Sequence, residues 1–255
     1  MSFAQQLAVR LAEAAGEELL KRQAGLVGGG EVETKSSVSD PVTAADRASE
    51  QLIVDGLAAA RPGDGLLGEE GASKASSTGY TWVIDPLDGT VNYLYGRPDW
   101  CVSIAVEDEA GAVVGVVHQP TTGITWSATR GEGAFRDGRR LGPVNAVGLA
   151  TALVSTGFSY LPERRAEQAD HLSRLLPVVR DIRRGGSAAL DLCSVADGTV
   201  DAYYEHLIQR WDVAAGGLIA REAGAEVTAL SDGVLAAAPE LAAALAELLT
   251  PRRPV

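Results

Sequence analysis

The sequence predicts an α+β protein, on three observations. Two long segments near the N-terminus carry apolar residues at helical spacing. Short runs rich in Val, Ile, Trp and Thr crowd the middle of the chain. Strand-like and helix-like segments alternate through the second half. A chain of 255 residues that is 46% hydrophobic buries most of its apolar surface without staples. We read one domain over 1–255, in approximate halves 1–145 and 146–255, because the pattern shifts near residue 145.

In chain order, residues 2–24 read as a helix through Leu7, Leu11, Ala15, Leu19 and Leu20, and the glycines from Gly25 to Gly30 end it. EVETKSSVSD is polar and reads as a loop, closed by the turn Asp40-Pro41. Helical spacing resumes in VTAADRASEQLIVDGLAAA and stops at Arg61-Pro62-Gly63. LLGEEG is a short apolar run ending in two acids, and 72–79 is a loop. YTWVID, WCVSIAVED, AVVGVVHQP and ITWSATR then read as strands of a largely antiparallel sheet. A small hairpin over 131–142 turns at Asp137-Gly138. Beyond 145, ALVSTGF, DIRR and VDAYYE read as strands. Residues 163–179, SAALDLCSVADG and WDVAAGGLIAREAG read as helices, the last with Asp212 as its N-cap and Gly224 past its end. That alternation predicts helices covering a mixed or parallel sheet.

Composition excludes several classes. A formal net charge of -12 argues against nonspecific nucleic-acid binding. It leaves room for an anionic substrate, because bound divalent cations reverse the local field. The two cysteines, Cys101 and Cys193, form no CxxC pair or Cys/His cluster, so a disulfide scaffold and a zinc site are not expected; both read as reduced core thiols. No apolar run approaches the ~20 residues of a membrane span, and the N-terminus lacks the pattern of a signal peptide. The expectation is a soluble cytoplasmic protein.

Four acids occupy special places. Glu69 ends an apolar run before Gly71, Asp85 ends a strand, Asp88 follows in DPLDGT, and Asp212 opens a helix after Trp211. Carboxylates at strand ends and helix starts can converge on one cleft, and convergent oxygens are what Mg²⁺ requires. Pro86 and Gly89 set a tight turn that would direct the Leu87 carbonyl and the amides of Gly89 and Thr90 outward, a seat for phosphate. By spacing alone, DPLDGT is equally an ordinary turn, Glu69-Glu70 a solvated pair and Asp212 a helix cap.

The combination is more specific. DPVTAADRASE, GEEG, WVIDPLDGTVN, GGSAALDLCSVADGTVDAYYE and WDVAAG, in that order, resemble the inositol monophosphatase family over nearly the whole chain. The resemblance implies a layered αβαβα sandwich with metals where its halves meet. It implies that Glu69, Asp85, Asp88 and Asp212, with the backbone carbonyl of Leu87, hold two or three Mg²⁺ ions, Asp85 bridging two. Gly89 and Thr90 would hold phosphate through their amides. Glu69 and Thr90 would orient and deprotonate the attacking water, with Asp46 behind Thr90. Asp88, Ser187, Ala188 and Glu205 would meet the substrate's hydroxyls, and Lys35 would approach the phosphate from its loop. Ser187 reads equally as a helix cap, Glu205 as an exposed strand-end charge and Lys35 as a solvated lysine. A homodimer and sensitivity to lithium are implied as well.

The expected function is therefore Mg²⁺-dependent hydrolysis of a small phosphorylated polyol, inositol 1-phosphate first, by direct attack of water. The alternatives are histidinol-phosphate phosphatase and a regulatory binding protein of the same fold; fructose 1,6-bisphosphate and 3'-phosphoadenosine phosphatases are weaker ones. A haloacid-type phosphatase uses a nucleophilic aspartate with a second acid two residues on, whereas Asp85 and Asp88 are three apart and lie mid-chain; a serine hydrolase needs GxSxG, which does not occur. No P-loop or dinucleotide fingerprint is present. His118, in a strand, and His171, in a helix, read as structural, and His206 shows no partner pattern.

Overall fold

In the computed structural model, which describes residues 2–26, 32–34 and 41–249, the N-terminal periodicity forms helix α1 (Phe3–Leu26). An antiparallel ribbon of β1 (Val32–Thr34) and β2 (Pro41–Thr43) leads into α2 (Ala44–Ala60). The first large sheet is then laid down by β3 (Gly65–Gly68), β4 (Ser73–Lys74) and β5 (Thr81–Asp88). After the short helix α3 (Thr90–Leu94) it continues with β6 (Cys101–Asp108), β7 (Gly111–Gln119), β8 (Ile124–Thr129), β9 (Gly133–Arg136) and β10 (Arg139–Arg140). Its order is β10-β9-β8-β7-β6-β5-β3-β4, antiparallel except where β3 runs parallel to β5. A 3₁₀ turn at Leu149–Thr151 precedes β11 (Leu153–Thr156), α4 (Pro162–Leu175), β12 (Asp181–Arg183) and α5 (Ala188–Asp197). Then come β13 (Ala202–His206), α6 (Arg210–Glu222), β14 (Glu226–Ala229), β15 (Gly233–Ala237) and α7 (Pro239–Leu249). This second sheet has the order β12-β11-β13-β15-β14 and is mixed, with β11 parallel to both neighbours.

Period-two alternation stacks these elements in five layers. Trp82 and Ile84 of β5 face α1 and α2, packing with Leu7, Leu11, Ile53 and Leu57. Val83, one residue out of phase, faces Ala189 and Cys193 of α5 and Leu218 and Ile219 of α6. The same two helices pack against the second sheet on their far side, where Leu192 and Ala220 meet Tyr203, Val234 and Ala236. The opposite face of that sheet, with Tyr204 and Leu235, is covered by α4 and α7 through Leu175, Leu241 and Leu245. The order is thus helix, sheet, helix, sheet, helix, and the α5–α6 pair is the shared central layer.

The helices begin and end within a few residues of the sequence expectation. Three differences have local causes. The strand expected to stop at Asp85 continues to Asp88, because Pro86, which has no N–H, sits in an irregularity between the Asp85–Ser103 and Asp88–Cys101 pairs. The segment 72–79 contains the two-residue strand β4 as well as a loop. Asp212 is not the N-cap of α6. Gln209 is, and Asp212 stands three residues in, its carboxylate closing a capping box on the Gln209 backbone N–H at 2.7 Å. The 137–138 hairpin turn forms as expected, with Asp137 at φ 50° and Gly138 at φ 74°.

Candidate active site

Three chain segments bring acids to one place. β5 delivers Asp85 and Asp88 from its C-terminal end, the turn after β3 delivers Glu69, and the first turn of α6 delivers Asp212. Carboxylate oxygens of Asp85, Asp88 and Asp212 lie within 4.8 Å of one another. A cavity of about 500 Å³ opens there, and Leu87, Gly89, Thr90, Ala188 and Glu205 share its wall. Glu69 lines the same cavity, close enough for its charge to raise the Asp85 carboxyl.

The backbone and a hydroxyl hold Asp85 and Asp88, and α2 fixes the turns around them. The N–H of Leu87 donates to Asp85 Oδ1 at 3.0 Å, which closes the Asp-Pro-Leu turn. Asp88 Oδ2 accepts from the Ser187 hydroxyl at 2.6 Å and the Ala189 N–H at 2.7 Å, at the start of α5. From α2, the Ser49 hydroxyl donates to the Pro86 carbonyl at 2.8 Å. On the same helix Glu50 accepts the N–H groups of Glu70 and Ala72 at 2.9 and 3.0 Å, which fixes the turn that carries Glu69. The Thr90 hydroxyl lies 3.1 Å from Asp46 Oδ1 and 3.2 Å from the Leu87 carbonyl, either of which takes its proton. Asp46 is fully buried.

Gly89 caps α3 at φ 95°, in the left-handed region. A Cβ there would sit 2.9 Å from the Asp99 carbonyl, so only glycine fits this turn.

The electrostatics follow from crowding. Burial, then the neighbouring Glu69, Asp88 and Asp212, push Asp85 well above the usual carboxylate range. Burial raises Asp88 to about 6 against the opposing pull of Ser187 and the amides of α5. Asp212 is also raised well above its ordinary value, first by burial and then by Asp88. Such a set does not ionise fully on its own. It consists only of oxygen donors, which suits a hard divalent cation such as Mg²⁺ rather than a softer metal.

Glu205, at the end of β13, faces the same cavity, and its Oε2 accepts the Tyr203 hydroxyl at 2.8 Å. Burial lifts its pKa to about 7; Asp88 adds to the rise, while Tyr203 and Arg184 oppose it. Gly157 leaves room for this carboxylate, since a Cβ there would overlap it.

Of the residues singled out from sequence, Glu69, Asp85, Leu87, Asp88, Gly89, Thr90, Ala188, Glu205 and Asp212 line one cavity. Asp46 lies behind Thr90. Ser187 does not reach the cavity wall: it is buried, caps α5 by accepting the Leu190 N–H at 3.2 Å, and donates to Asp88. It therefore orients an acid of the site, as its reading as a helix cap allows. Lys35 lies outside the described residues. Sequence reasoning missed Ser49, Glu50, Tyr203 and Arg184. A signal for Glu50 existed. Asp46, Glu50, Ile53 and Leu57 form one buried stripe of α2, and an acid at an apolar position of such a stripe has a partner to find.

Comparison with known proteins gives a consistent result. Residues 2–253 match the model of the inositol monophosphatase family. The chain is 48% identical, over 92% of its length and 85% of the relative, to a protein of Mycobacterium leprae named inositol-1-monophosphatase. It is 40% identical, over 82% of each chain, to a protein of Pasteurella multocida named Nus factor SuhB. The crystal structure of the extragenic suppressor protein suhB from Bartonella henselae superposes with a TM-score of 0.92 at 33% identity, covering 99% of this chain and 100% of that one.

Proposed function

The chain belongs to the inositol monophosphatase family, and on that premise we propose that it hydrolyses a small phosphate monoester with Mg²⁺, inositol 1-phosphate first. The observation that carries the reading is the convergence of Glu69, Asp85, Asp88 and Asp212 on one cavity beside the Gly89–Thr90 turn. These four side chains and the Leu87 carbonyl would hold two or three Mg²⁺ ions. Such ions neutralise a phosphate dianion, acidify water and stabilise the leaving alkoxide.

The chain's own residues supply position and proton transfer. The amides of Gly89 and Thr90 seat the phosphate. Thr90 donates a hydrogen bond to Asp46 or to the Leu87 carbonyl, so its oxygen is free to accept one from the attacking water. Glu69 takes the water's other proton. Glu205, braced by Tyr203, and Asp88 accept hydroxyls of the polyol. Direct attack by water needs no phosphorylated side chain, and positioning with charge supplies most of the acceleration. The same reading carries a cytoplasmic homodimer inhibited by lithium.

The test is phosphate release from inositol 1-phosphate, histidinol phosphate, fructose 1,6-bisphosphate and 3'-phosphoadenosine 5'-phosphate, each with and without Mg²⁺. Metal-dependent release that is fastest from inositol 1-phosphate supports the proposal. Preference for histidinol phosphate keeps the mechanism and changes the substrate, and no release from any ester overturns both. A second reading, a regulatory binding role, draws on the relative named a Nus factor. It predicts partner binding that survives in Asp88→Asn after catalysis is lost.

A further inference from the structure

A second cavity, of about 530 Å³, lies beyond the end of β13, lined in part by α4 and by the turn before β15. His206, next to Glu205 in sequence, is 9% exposed. Its Nδ1 lies 2.6 Å from Asp232 Oδ1. The other oxygen of Asp232 accepts from Arg164 at 3.0 Å. An ion-paired carboxylate at that distance holds the imidazole proton on Nδ1 and leaves the lone pair on Nε2. Nε2 is buried and has no hydrogen-bond partner among the described residues. His171 of α4 stands opposite, its ring centroid 4.7 Å from that of His206 and the planes 37° apart. Its Nδ1 is likewise buried and unpartnered.

Two buried imidazole nitrogens without partners, on neighbouring rings, are costly where solvent does not reach them. Burial lowers the pKa of His171, so its ring is neutral and offers a lone pair. We propose that His171 Nδ1 and His206 Nε2 form a transition-metal site of the zinc or copper class, separate from the carboxylate centre. Two imidazoles bound tetrahedrally at ~2.0 Å place their ring centres about 5 Å apart, close to the observed spacing. A carboxylate behind the ligating histidine, here Asp232, is the usual support that fixes tautomer and ring orientation. Imidazole donors select Zn²⁺ or Cu²⁺ over Mg²⁺, whereas the all-oxygen cluster does the reverse. Both histidines line the cavity, and water entering from it with the metal would fill the remaining positions. The site does not depend on the proposed phosphatase activity.

The experiment adds one equivalent of Cu²⁺ to the full chain in excess Mg²⁺ and reads the electron paramagnetic resonance spectrum. The wild type shows superhyperfine coupling to two imidazole nitrogens. His171→Gln and His206→Gln each lose one nitrogen and bind Cu²⁺ at least tenfold more weakly, while His118→Gln matches the wild type. His171 is half-buried on a helix, where glutamine is well tolerated, so that variant reports even if His206→Gln misfolds. A wild-type spectrum of oxygen ligation only, or nitrogen couplings unchanged in His171→Gln, overturns the site.

Discussion

At Asp88, burial and hydrogen bonding pull in opposite directions. Removal from water raises the carboxyl to about 6, while the Ser187 hydroxyl and the amides at the start of α5 stabilise its anion. The residue is poised to ionise when a cation arrives. Asp88→Asn keeps the shape and removes the charge; phosphate release falls by about 10²-fold or more, with a melting temperature equal to or above that of the metal-free wild type. Glu205→Gln keeps a hydrogen-bonding group at the polyol end and alters neither Glu69 nor Thr90. It raises KM for inositol 1-phosphate about tenfold, on the scale of one charged hydrogen bond, and changes kcat little; an equal loss in kcat would place Glu205 in the chemistry instead. At this scale the acids of the site were legible because each stands at a strand end or helix start within a distinctive motif. Ser187 was only half legible. The sequence placed it at the start of a helix, but its partner Asp88 lies about a hundred residues away in the chain, a distance that no local pattern spans.

At the scale of elements, the joint from β5 to α3 depends on α2. Ser49 and Glu50 reach from that helix to the Pro86 carbonyl and to the turn bearing Glu69. Ser49→Ala leaves a buried carbonyl without its donor and costs about 1–2 kcal/mol in denaturant unfolding. Glu50→Gln loosens the turn that carries Glu69, so kcat drops more than stability does, measured by phosphate release alongside a thermal melt. The period-two strands and the helical stripes were readable because one face of each is buried. The C-terminal elements β14, β15 and α7 drew no reading. The apolar positions from Leu235 to Leu249 are largely alanines, and alanine-rich sequence carries little periodic contrast. Asp212 was misread as a cap because a capping box places its acid three residues inside the helix, and the residue that caps it, Gln209, is a weaker signal than aspartate.

Over the whole molecule, buried acids gather at and beside the carboxylate cavity. Asp88, Glu205 and Asp191 have folded-state pKa values of about 6, 7 and 8, each raised chiefly by burial. A carboxyl whose folded pKa lies above its unfolded value stabilises the fold at low pH and loses that contribution as the pH rises through the folded value. These three groups therefore make the metal-free protein less stable between about pH 4 and 8, against a smaller opposite contribution from the two histidines lowered by burial, His118 and His171, and Mg²⁺ restores stability increasingly over the same window. Chemical unfolding at several pH values, with chelator and with Mg²⁺, measures both curves; a metal-free stability that rises across this range contradicts the burial account. The five-layer order was not legible from periodicity, which reports that a face is buried and not what covers it. It came from the family resemblance, and the packing of α5 and α6 against both sheets supplies its physical reason.

The most direct measurement is a Mg²⁺ titration of phosphate release from inositol 1-phosphate by the wild type and by Asp85→Asn. The account predicts saturable activation of the wild type from a baseline near zero, and activity at least about 10²-fold lower in the variant at every Mg²⁺ concentration. Release that ignores Mg²⁺, or an Asp85→Asn protein as active as the wild type, would contradict it.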